Sequence, residues 1–586
     1  MHLLAFEYDR PFILEALRRG QIDYLEHVGE ALEGDFFRQL IDRQVLQRLA
    51  DSYPTPRKKE EVPVWLYLAS EISLKLHGAQ SHHAFPRVLR SGGLIDALGP
   101  ELGGRKTTHP QTGDVTLACP GFNHKNDYDR QTPCDQDFLR KLARDTQGER
   151  LHAWFNREVP RCLRSLKLLD AEGLFIGHAS YLFVPNNPRY EGSDLLWFDE
   201  HNHPVEAEQV DPAAPDPRYQ LHRCYKLVSL MHLNRQLDFF FVVAARVVSG
   251  RRHECPILYE LVDELVRAVG RDVMKVLIVD RGLIDGPQMA RLQQRYRIDT
   301  IVPVRTNMDL YADVIGLTRS PDFAWESYVS PLPAAGPPRA LPKPLRLQKR
   351  EAQRQRTLAQ RQAEAAPKTA PAGVRRTLLG IERGLRTWSD CPIPLTAVVS
   401  REVDEHGKTK DGVIATSSSS LTAAQIRSTY ELRTAIEERH RQYKCFWDLT
   451  HMHSPALSLV INQALFVLLA YTLLQAHLRL RQRQPLNRRT LPSIFRLLTP
   501  TLQVVAVYYR QRFLFIFPGG VRADFAHPRR SGSGPVAGEN PRHREGSLLP
   551  IGKCPVTMSV PTRLRLPGGE PHGDTQPRQA IEDRHY

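Results

Sequence analysis

The chain has 586 residues, with 80 Lys and Arg against 65 Asp and Glu, and a formal net charge of +15. Its length predicts roughly two to four domains, and its basic surplus makes nucleic acid the first partner to consider, ahead of an acidic membrane surface. Eight cysteines lie far apart with no CxxC pair. This spacing argues against a disulfide scaffold or a zinc ribbon and indicates a reducing, intracellular setting.

The first 155 residues are predicted to be mainly helical, because apolar residues recur at helical spacing in the stretches that begin at Pro11 and Val62. The opening MHLLAFEYDR lacks a basic leader and a long apolar core, so no signal peptide is expected. Further on, Cys119, His124 and Cys134 are conceivable metal ligands. Their spacing matches no regular zinc pattern, so a metal site here is not favoured.

From Leu163 the composition changes to β-branched and aromatic residues, which favour strands. Predicted strands are CLRSLKLLD, which ends in Asp170, then LFIGHASYLFV, KLVSLMHL and FFFVVAARVVSG. A helix, CPILYELVDELVRAVG, leads into the apolar VMKVLIVD, which ends in Asp280 and is followed by the helix GPQMARLQQRYR and the strand IDTIVPVR. A short apolar strand after a helical crossover is typical of an α/β sheet.

Residues 330–374 are rich in Pro, Ala and basic residues. A disordered linker is favoured over an ordered DNA-contacting arm, because few large apolar residues are available to bury. A β-hairpin is predicted over 398–416. After Pro518 the apolar periodicity is lost, so residues 518–586 are predicted to be a disordered tail.

The segment Leu457–Leu478 is about as long as the ~20 residues that a membrane crossing needs. Five polar residues interrupt it: Asn462, Gln463, Thr472, Gln475 and His477. Because polar groups are costly in lipid, a buried core helix is the better prediction, and no membrane partner is expected.

The stretch TYELRTAIEERHRQYKCF, 429–446, places unlike polar groups on one face of a predicted helix. With Tyr430 at zero, Arg433 falls at about 300°, Lys444 at about 320° and Glu437 at about 340°, whereas Glu438 falls at about 80°. Two cations, an aromatic ring and one carboxylate suit a phosphate backbone and a metal ion. The alternative is a charged helix that simply faces solvent.

Two further carboxylates, Asp170 and Asp280, end predicted strands and are expected at the same edge of one sheet. Glu437 from a helix crossing that sheet would complete a three-acid cluster. Such hard oxygen ligands bind Mg²⁺ or Mn²⁺, and two ions can stabilise the attacking and leaving oxygens of a phosphoryl displacement. Taken singly, an Asp at a strand end is more often a turn former or a cap.

The spacing Tyr430, two residues, Arg433, three residues, Glu437, six residues, Lys444 resembles the Y-R-E-K signature of bacterial insertion-sequence transposases of the IS-four type. These are DDE enzymes with an RNase H-like core. VLIVDRGLIDG with VPVR is similar to the segment around their second aspartate, and LLDAEGLFIG to that around their first. The turn after Asp170 departs from the family, which usually has a small hydroxylated residue there. Rival candidates are Asp194, Asp199 and Asp238.

The resemblance implies an α/β fold: an RNase H-like mixed-sheet catalytic core with a β-rich insertion, preceded by a mainly helical N-terminal domain. The expected divisions are 1–155 for a mainly helical region that recognises DNA ends, 156–310 for the first part of the core, 311–420 for the insertion with its linker and β-hairpin, 421–517 for the last part of the core and C-terminal helices, and 518–586 for the disordered tail.

It also implies a cut-and-paste DNA transposase in the bacterial cytoplasm, acting at the nucleoid. Asp170, Asp280 and Glu437 would be the catalytic residues and would hold two Mg²⁺ or Mn²⁺ ions, and Tyr430, Arg433 and Lys444 would bind DNA. The expected partners are double-stranded DNA, as terminal inverted repeats and as target, and a second copy of the chain in a synaptic complex. Two alternatives stay open: a non-transposing nuclease on the same core, and an inactive remnant that only binds DNA.

Overall fold

The computed structural model describes residues 3–5, 24–30, 34–60, 62–79, 81–85, 88, 94, 105–108, 115–118, 134–200, 202–206, 210, 218–331, 374–484, 487, 503–509 and 512–516. The helices are α1 Gly34–Asp42, α2 Val45–Asp51, α3 Val64–Leu76, α4 Gln136–Asp145, α5 Gly148–Ser165, α6 Glu254–Val269, α7 Gly286–Tyr296, α8 Asp309–Leu317, α9 Ala423–Glu431, α10 Thr434–Cys445 and α11 Leu457–Leu480.

The strands are β1 Leu3–Ala5, β2 Tyr24–Glu30, β3 Arg105–Thr108, β4 Val115–Ala118, β5 Leu174–Val184, β6 Asp194–Phe198, β7 Pro204–Val205, β8 Gln220–Leu233, β9 Phe240–Ser249, β10 Val276–Ile278, β11 Asp299–Pro303, β12 Glu326–Tyr328, β13 Val374–Leu385, β14 Leu395–Asp404, β15 Thr409–Thr416, β16 Gln503–Tyr509 and β17 Arg512–Ile516. Outside the main sheet, β1, β17, β16 and β2 form a four-stranded sheet, and β3 pairs with β4.

The main sheet runs in the order β12-β13-β14-β15-β11-β10-β5-β8. Beyond β8, its outer edge is shared, because β6 pairs with residues 220–224 and β9 with residues 225–233. The central strands β5, β10 and β11 are parallel, and the flanking pairs are antiparallel. This mixed sheet with packed helices, preceded by helical segments, is consistent with an RNase H-like domain, so the predicted fold class is confirmed.

Helices cover both faces of the central strand β5. On one face α6 packs so closely that a Cβ at Gly177 would lie 2.6 Å from Leu258 Cδ2. On the other face α10 lies against β5, where Lys444 Nζ donates a hydrogen bond to Ser180 Oγ over 2.7 Å. Because side chains alternate along a strand, the even-numbered residues of this part of β5 face α10.

The outer edge of β9 is covered by side chains of two helices, α5 and α11. Four of its N–H groups donate to them over 2.8 to 3.2 Å: Phe240 to Gln475, Val242 to Thr472, Ala245 to Asn156, and Val247 to His152. In the described part of the chain, α11 is the helix long and apolar enough to cross a membrane, and it is mostly buried inside the protein. Two of the five polar residues that interrupt its sequence, Thr472 and Gln475, therefore serve the sheet edge, which fits the predicted buried core helix.

Two sequence-based assignments are wrong. The predicted strand from Cys162 to Asp170 begins inside α5, whose buried face includes Phe155, Val159 and Cys162 at helical spacing. The residues of β2 were predicted to be helical and form a strand that pairs with β16. In both cases short apolar runs carry too little periodicity to separate helix from strand.

The predicted hairpin is present, because β14 and β15 pair antiparallel. However, β15 also pairs with β11, so these strands extend the central sheet. Outside the described residues lie most of the predicted linker, residues 332–373, the predicted tail, Cys119 and His124. The domain divisions stay predictions.

Candidate active site

Of the four residues of the predicted signature, Tyr430 lies on α9, Glu437 and Lys444 lie on α10, and Arg433 lies in the turn between the two helices. After α9, which begins with a capping box of Thr422 and Gln425, a turn at Leu432 and Arg433 precedes α10. Through this turn the N–H groups bond three residues back, as Arg433 does to the carbonyl of Tyr430. A turn with three residues rotates by more per residue than an α-helix does. The angles that were calculated for one continuous α-helix therefore hold only approximately.

Arg433 joins the two carboxylates that the sequence analysis favoured most. Its Nη1 lies 3.2 Å from Asp280 Oδ2, and its Nη2 lies 2.8 Å from Glu437 Oε1. Burial lowers the pKa of the Arg433 guanidinium, but Asp280, Tyr430 and Glu437 together raise it by more than burial lowers it. Arg433 therefore stays charged. Its side chain is 19 % exposed, against 52 % for Glu437. The site is therefore an open carboxylate pair bridged by one sheltered cation.

Asp280 lies two residues after the end of β10. Its Oδ1 accepts the N–H of Arg281 over 2.8 Å and caps a short 3₁₀ turn, Arg281–Leu283. The cap fixes one carboxylate oxygen and leaves the other toward Arg433. Asp280 lies at the end of a strand segment, as expected, and its role in a catalytic site stays a prediction.

Tyr430 and Lys444 flank the carboxylate pair. The guanidinium carbon of Arg433 lies 6.0 Å from the centre of the Tyr430 ring, within cation–π distance. Burial raises the pKa of Tyr430 and lowers that of Lys444. The four signature side chains thus border one region in front of β5 and β10.

Glu438 takes no part in this region, as its angle predicts. Both of its oxygens accept from Arg441, over 2.7 and 2.6 Å. These hydrogen bonds lower the pKa of Glu438, with burial opposing them. Glu438 is therefore a matched control for Glu437.

Asp170 is not brought to this region, which corrects the expected three-acid cluster. It lies in the turn before β5, where its N–H donates to His232 Nε2 over 2.8 Å and its Oδ2 lies 3.8 Å from Arg479 Nη2. Because β5 and β10 are parallel, a residue before β5 and one after β10 lie at opposite ends of the sheet. The expectation that Asp170 and Asp280 share an edge is wrong.

The rival aspartates are also elsewhere. Asp238 precedes β9 and its N–H donates to Asn234 Oδ1, near the sheet end that holds Asp170, since β8 and β5 pair Leu233 with Leu174. Asp194 begins β6 and accepts the N–H of Arg251. Asp199, in the turn after β6, accepts the N–H of His203. None of the three extends from a strand next to β10.

The residue that β5 places beside Asp280 is His178, which the sequence analysis did not single out. Ile278 of β10 pairs with Ile176 of β5, and the same register carried two residues further would bring His178 level with Asp280, whose charge reaches its imidazole. Burial lowers the pKa of His178 to about 4, although Asp280 opposes this. The signal for it was present in LFIGHASYLFV, where one polar ring interrupts an otherwise buried strand.

The carboxylate pair fits two ligands of a divalent ion. Asp280 and Glu437 converge on the guanidinium of Arg433, and this cation stands where an ion between two acids would stand. Among the residues that the structure describes, no three His, Cys, Asp or Glu side chains are already placed to hold a metal. An ion held by both carboxylates would therefore displace the guanidinium of Arg433.

Residues 191–473 match the family model described as "Transposase DDE domain". The match includes Asp280, Tyr430, Arg433, Glu437 and Lys444, and it leaves out Asp170 and His178. It supports a DDE transposase, a class that acts on DNA and generally uses divalent metal ions. No curated protein matches the chain.

Proposed function

We propose that this protein is an insertion-sequence transposase of the IS-four type, which cuts DNA at the ends of its element and joins those ends to target DNA. The observation that carries the proposal is the convergence of Asp280 and Glu437 on Arg433, in front of the parallel strands. Hydrolysis of the strand at the element end frees a 3′ hydroxyl, and that hydroxyl then attacks a phosphodiester of the target.

Asp280 and Glu437 are the residues that would hold Mg²⁺ or Mn²⁺, with two ions expected. When bound, such ions activate the attacking oxygen and neutralise the charge that develops on the leaving oxygen. The protein's own part is positioning. The cap on Asp280 Oδ1 fixes one carboxylate, and α10 carries the other.

Arg433 and Lys444 would bind the phosphate next to the scissile bond. The guanidinium of Arg433 is planar and can donate two parallel hydrogen bonds to a phosphate. In the structure these donors face the carboxylates of Asp280 and Glu437, and they would be available to DNA if those carboxylates held a metal ion. Tyr430 lies beside Arg433 and would stack against the adjacent nucleotide.

The net charge of +15 fits a partner with a dense phosphate backbone. We propose that the partners are double-stranded terminal repeats and target DNA, bridged by a homodimer in a synaptic complex. The N-terminal helical segments would read the repeats, and the protein would work at the nucleoid in the bacterial cytoplasm.

The test is cleavage of labelled element-end DNA in Mg²⁺ or Mn²⁺ by the full-length parent and three variants. Asp280→Asn and Glu437→Gln are expected to lose roughly 100-fold or more in rate, the scale seen when one electrostatic group is removed from a site. Glu438→Gln should cleave like the parent, because Glu438 contacts only neighbours on its own helix in the pairs described above.

Three results would contradict the proposal, each in its own way. Equal cleavage by the parent and the two acid variants would remove the assigned site. Cleavage without joining of labelled ends to a plasmid would indicate a non-transposing nuclease. DNA binding by a parent that cleaves with neither ion would indicate an inactive remnant.

A further inference from the structure

The third side chain on the metal-facing side of the sheet is an imidazole. The pairing of β5 with β10 aligns Ile176 with Ile278, and extending it by two residues aligns His178 with Asp280. Neighbouring strands lie about 4.8 Å apart, so side chains at one level on the same face are within reach of a shared ion. The first residue of β5, Leu174, lies four residues before His178, which is about 13 Å at ~3.3 Å per residue. Asp170 lies beyond that, in the turn before the strand.

His178 points to the face that carries Glu437. Gly177, its neighbour, faces α6, where an added Cβ would meet Leu258, so His178 faces the opposite side. There its ring lies 4.7 Å from the ring of His440 on α10. His440 follows Glu437 by three residues, and residues three apart lie on the same side of a helix.

The other acid whose charge reaches His178 is Glu254, and it belongs to the opposite face. Its Oε2 lies 2.6 Å from Lys226 Nζ. That ammonium also lies 5.1 Å from the ring centre of Tyr181, which is on the same side of β5 as Gly177. Glu254 is therefore already paired with Lys226.

We infer that His178 is the third protein ligand of this metal site and that its imidazole gives the site a preference for a first-row transition-metal ion, such as Mn²⁺, over Mg²⁺. Mg²⁺ demands oxygen ligands in near-ideal octahedral geometry, whereas transition metals accept imidazole nitrogen. The inference rests on the proposed function for the identity of the site, and it changes the donor set from three acids to two acids and one histidine.

The test uses metal binding by the full-length protein without DNA. Free Mn²⁺, followed by its electron paramagnetic resonance signal, gives the affinity, and Mg²⁺ is added as a competitor. The parent is expected to bind Mn²⁺ at least about tenfold more tightly than Mg²⁺, with nitrogen coupling in the pulsed spectrum of the bound ion. His178→Ala should weaken Mn²⁺ binding about tenfold or more and remove the nitrogen coupling, on the scale of a disturbed ligand shell.

His178→Asp should restore an all-oxygen site and raise the affinity for Mg²⁺ about tenfold. Asp170→Asn and Glu254→Gln are the controls, and both should bind Mn²⁺ like the parent. Circular dichroism in the presence of a chelator verifies that each variant is folded. The nitrogen coupling is measured on the parent protein, so this part of the test does not depend on whether any variant folds.

Unchanged Mn²⁺ binding in His178→Ala, absence of nitrogen coupling in the parent, or equal affinity of the parent for Mg²⁺ and Mn²⁺ would each overturn the inference. Failure of the proposed function looks different. In that case Mn²⁺ binds through His178, and neither the parent nor His178→Asp cleaves element-end DNA.

Discussion

Arg433 is the residue on which the candidate site depends, because it pairs with both acids. A divalent ion must compete with its guanidinium for Asp280 and Glu437. Removing the guanidinium would relieve that competition and would at the same time remove the proposed donor to the DNA phosphate. The two effects have opposite signs and can be measured separately.

Arg433→Gln is expected to bind Mn²⁺ several-fold more tightly than the parent and to bind and cleave element-end DNA at least about tenfold less well, since a charged bidentate donor is lost. Spin-resonance titration gives the first quantity, and a DNA-binding and cleavage assay gives the second. Arg441→Gln is the matched control, because Arg441 pairs with Glu438 on the exposed side of α10. Weaker Mn²⁺ binding in Arg433→Gln would contradict this account.

At the scale of elements, the open edge of β9 explains the composition of α11. An exposed strand edge presents unpaired N–H groups, and burial without partners is costly. Thr472 and Gln475 supply acceptors to Val242 and Phe240, while α5 serves the other half of the edge. An apolar helix with a few polar residues at set positions can therefore belong to a core.

Thr472→Val is expected to lower the free energy of unfolding by about 1 to 3 kcal/mol, because the buried N–H of Val242 loses its acceptor at nearly constant side-chain volume. Denaturant unfolding measures the change. Thr472→Ser keeps the hydroxyl and should lose less. If valine and serine variants unfold at the same denaturant concentration, the hydroxyl is not what holds this edge.

For the whole molecule, several buried histidines make stability depend on pH. Burial lowers the pKa of His152 to about 3 and that of His232 to about 4, and it holds that of His440 well below its usual range. Each is hydrogen-bonded inside the protein, as when His152 Nε2 accepts the N–H of Val247. Their neutral forms belong to the folded state.

Because these pKa values are lower in the folded protein than the ~6.5 of an exposed histidine, the unfolded chain binds more protons below that pH. Their contribution is complete above about pH 6.5 and declines as pH falls toward the folded values, by up to about 1.4 kcal/mol per pH unit for each group. The melting temperature should fall between pH 7 and pH 5. His152→Gln should flatten that decline, and an identical pH dependence in parent and variant would refute the assignment to His152.

Local pattern alone was sufficient for several parts of this protein. The apolar runs that end at Asp280 and the periodic segments of α6, α7 and α11 identify their elements, since side-chain period is a local property. The spacing of Tyr430, Arg433, Glu437 and Lys444 likewise places four groups near one face before any packing is known.

Only the tertiary structure determines which residue of the neighbouring strand β5 lies beside Asp280. Residues 162–170 are apolar enough for a helix end or a strand, and only their packing in α5 resolves the choice. The register of β5 against β10 then brings His178 to Asp280 and leaves Asp170 behind. Strand pairing joins residues about a hundred positions apart through backbone hydrogen bonds that every residue type can form, so side-chain pattern within either strand cannot specify it.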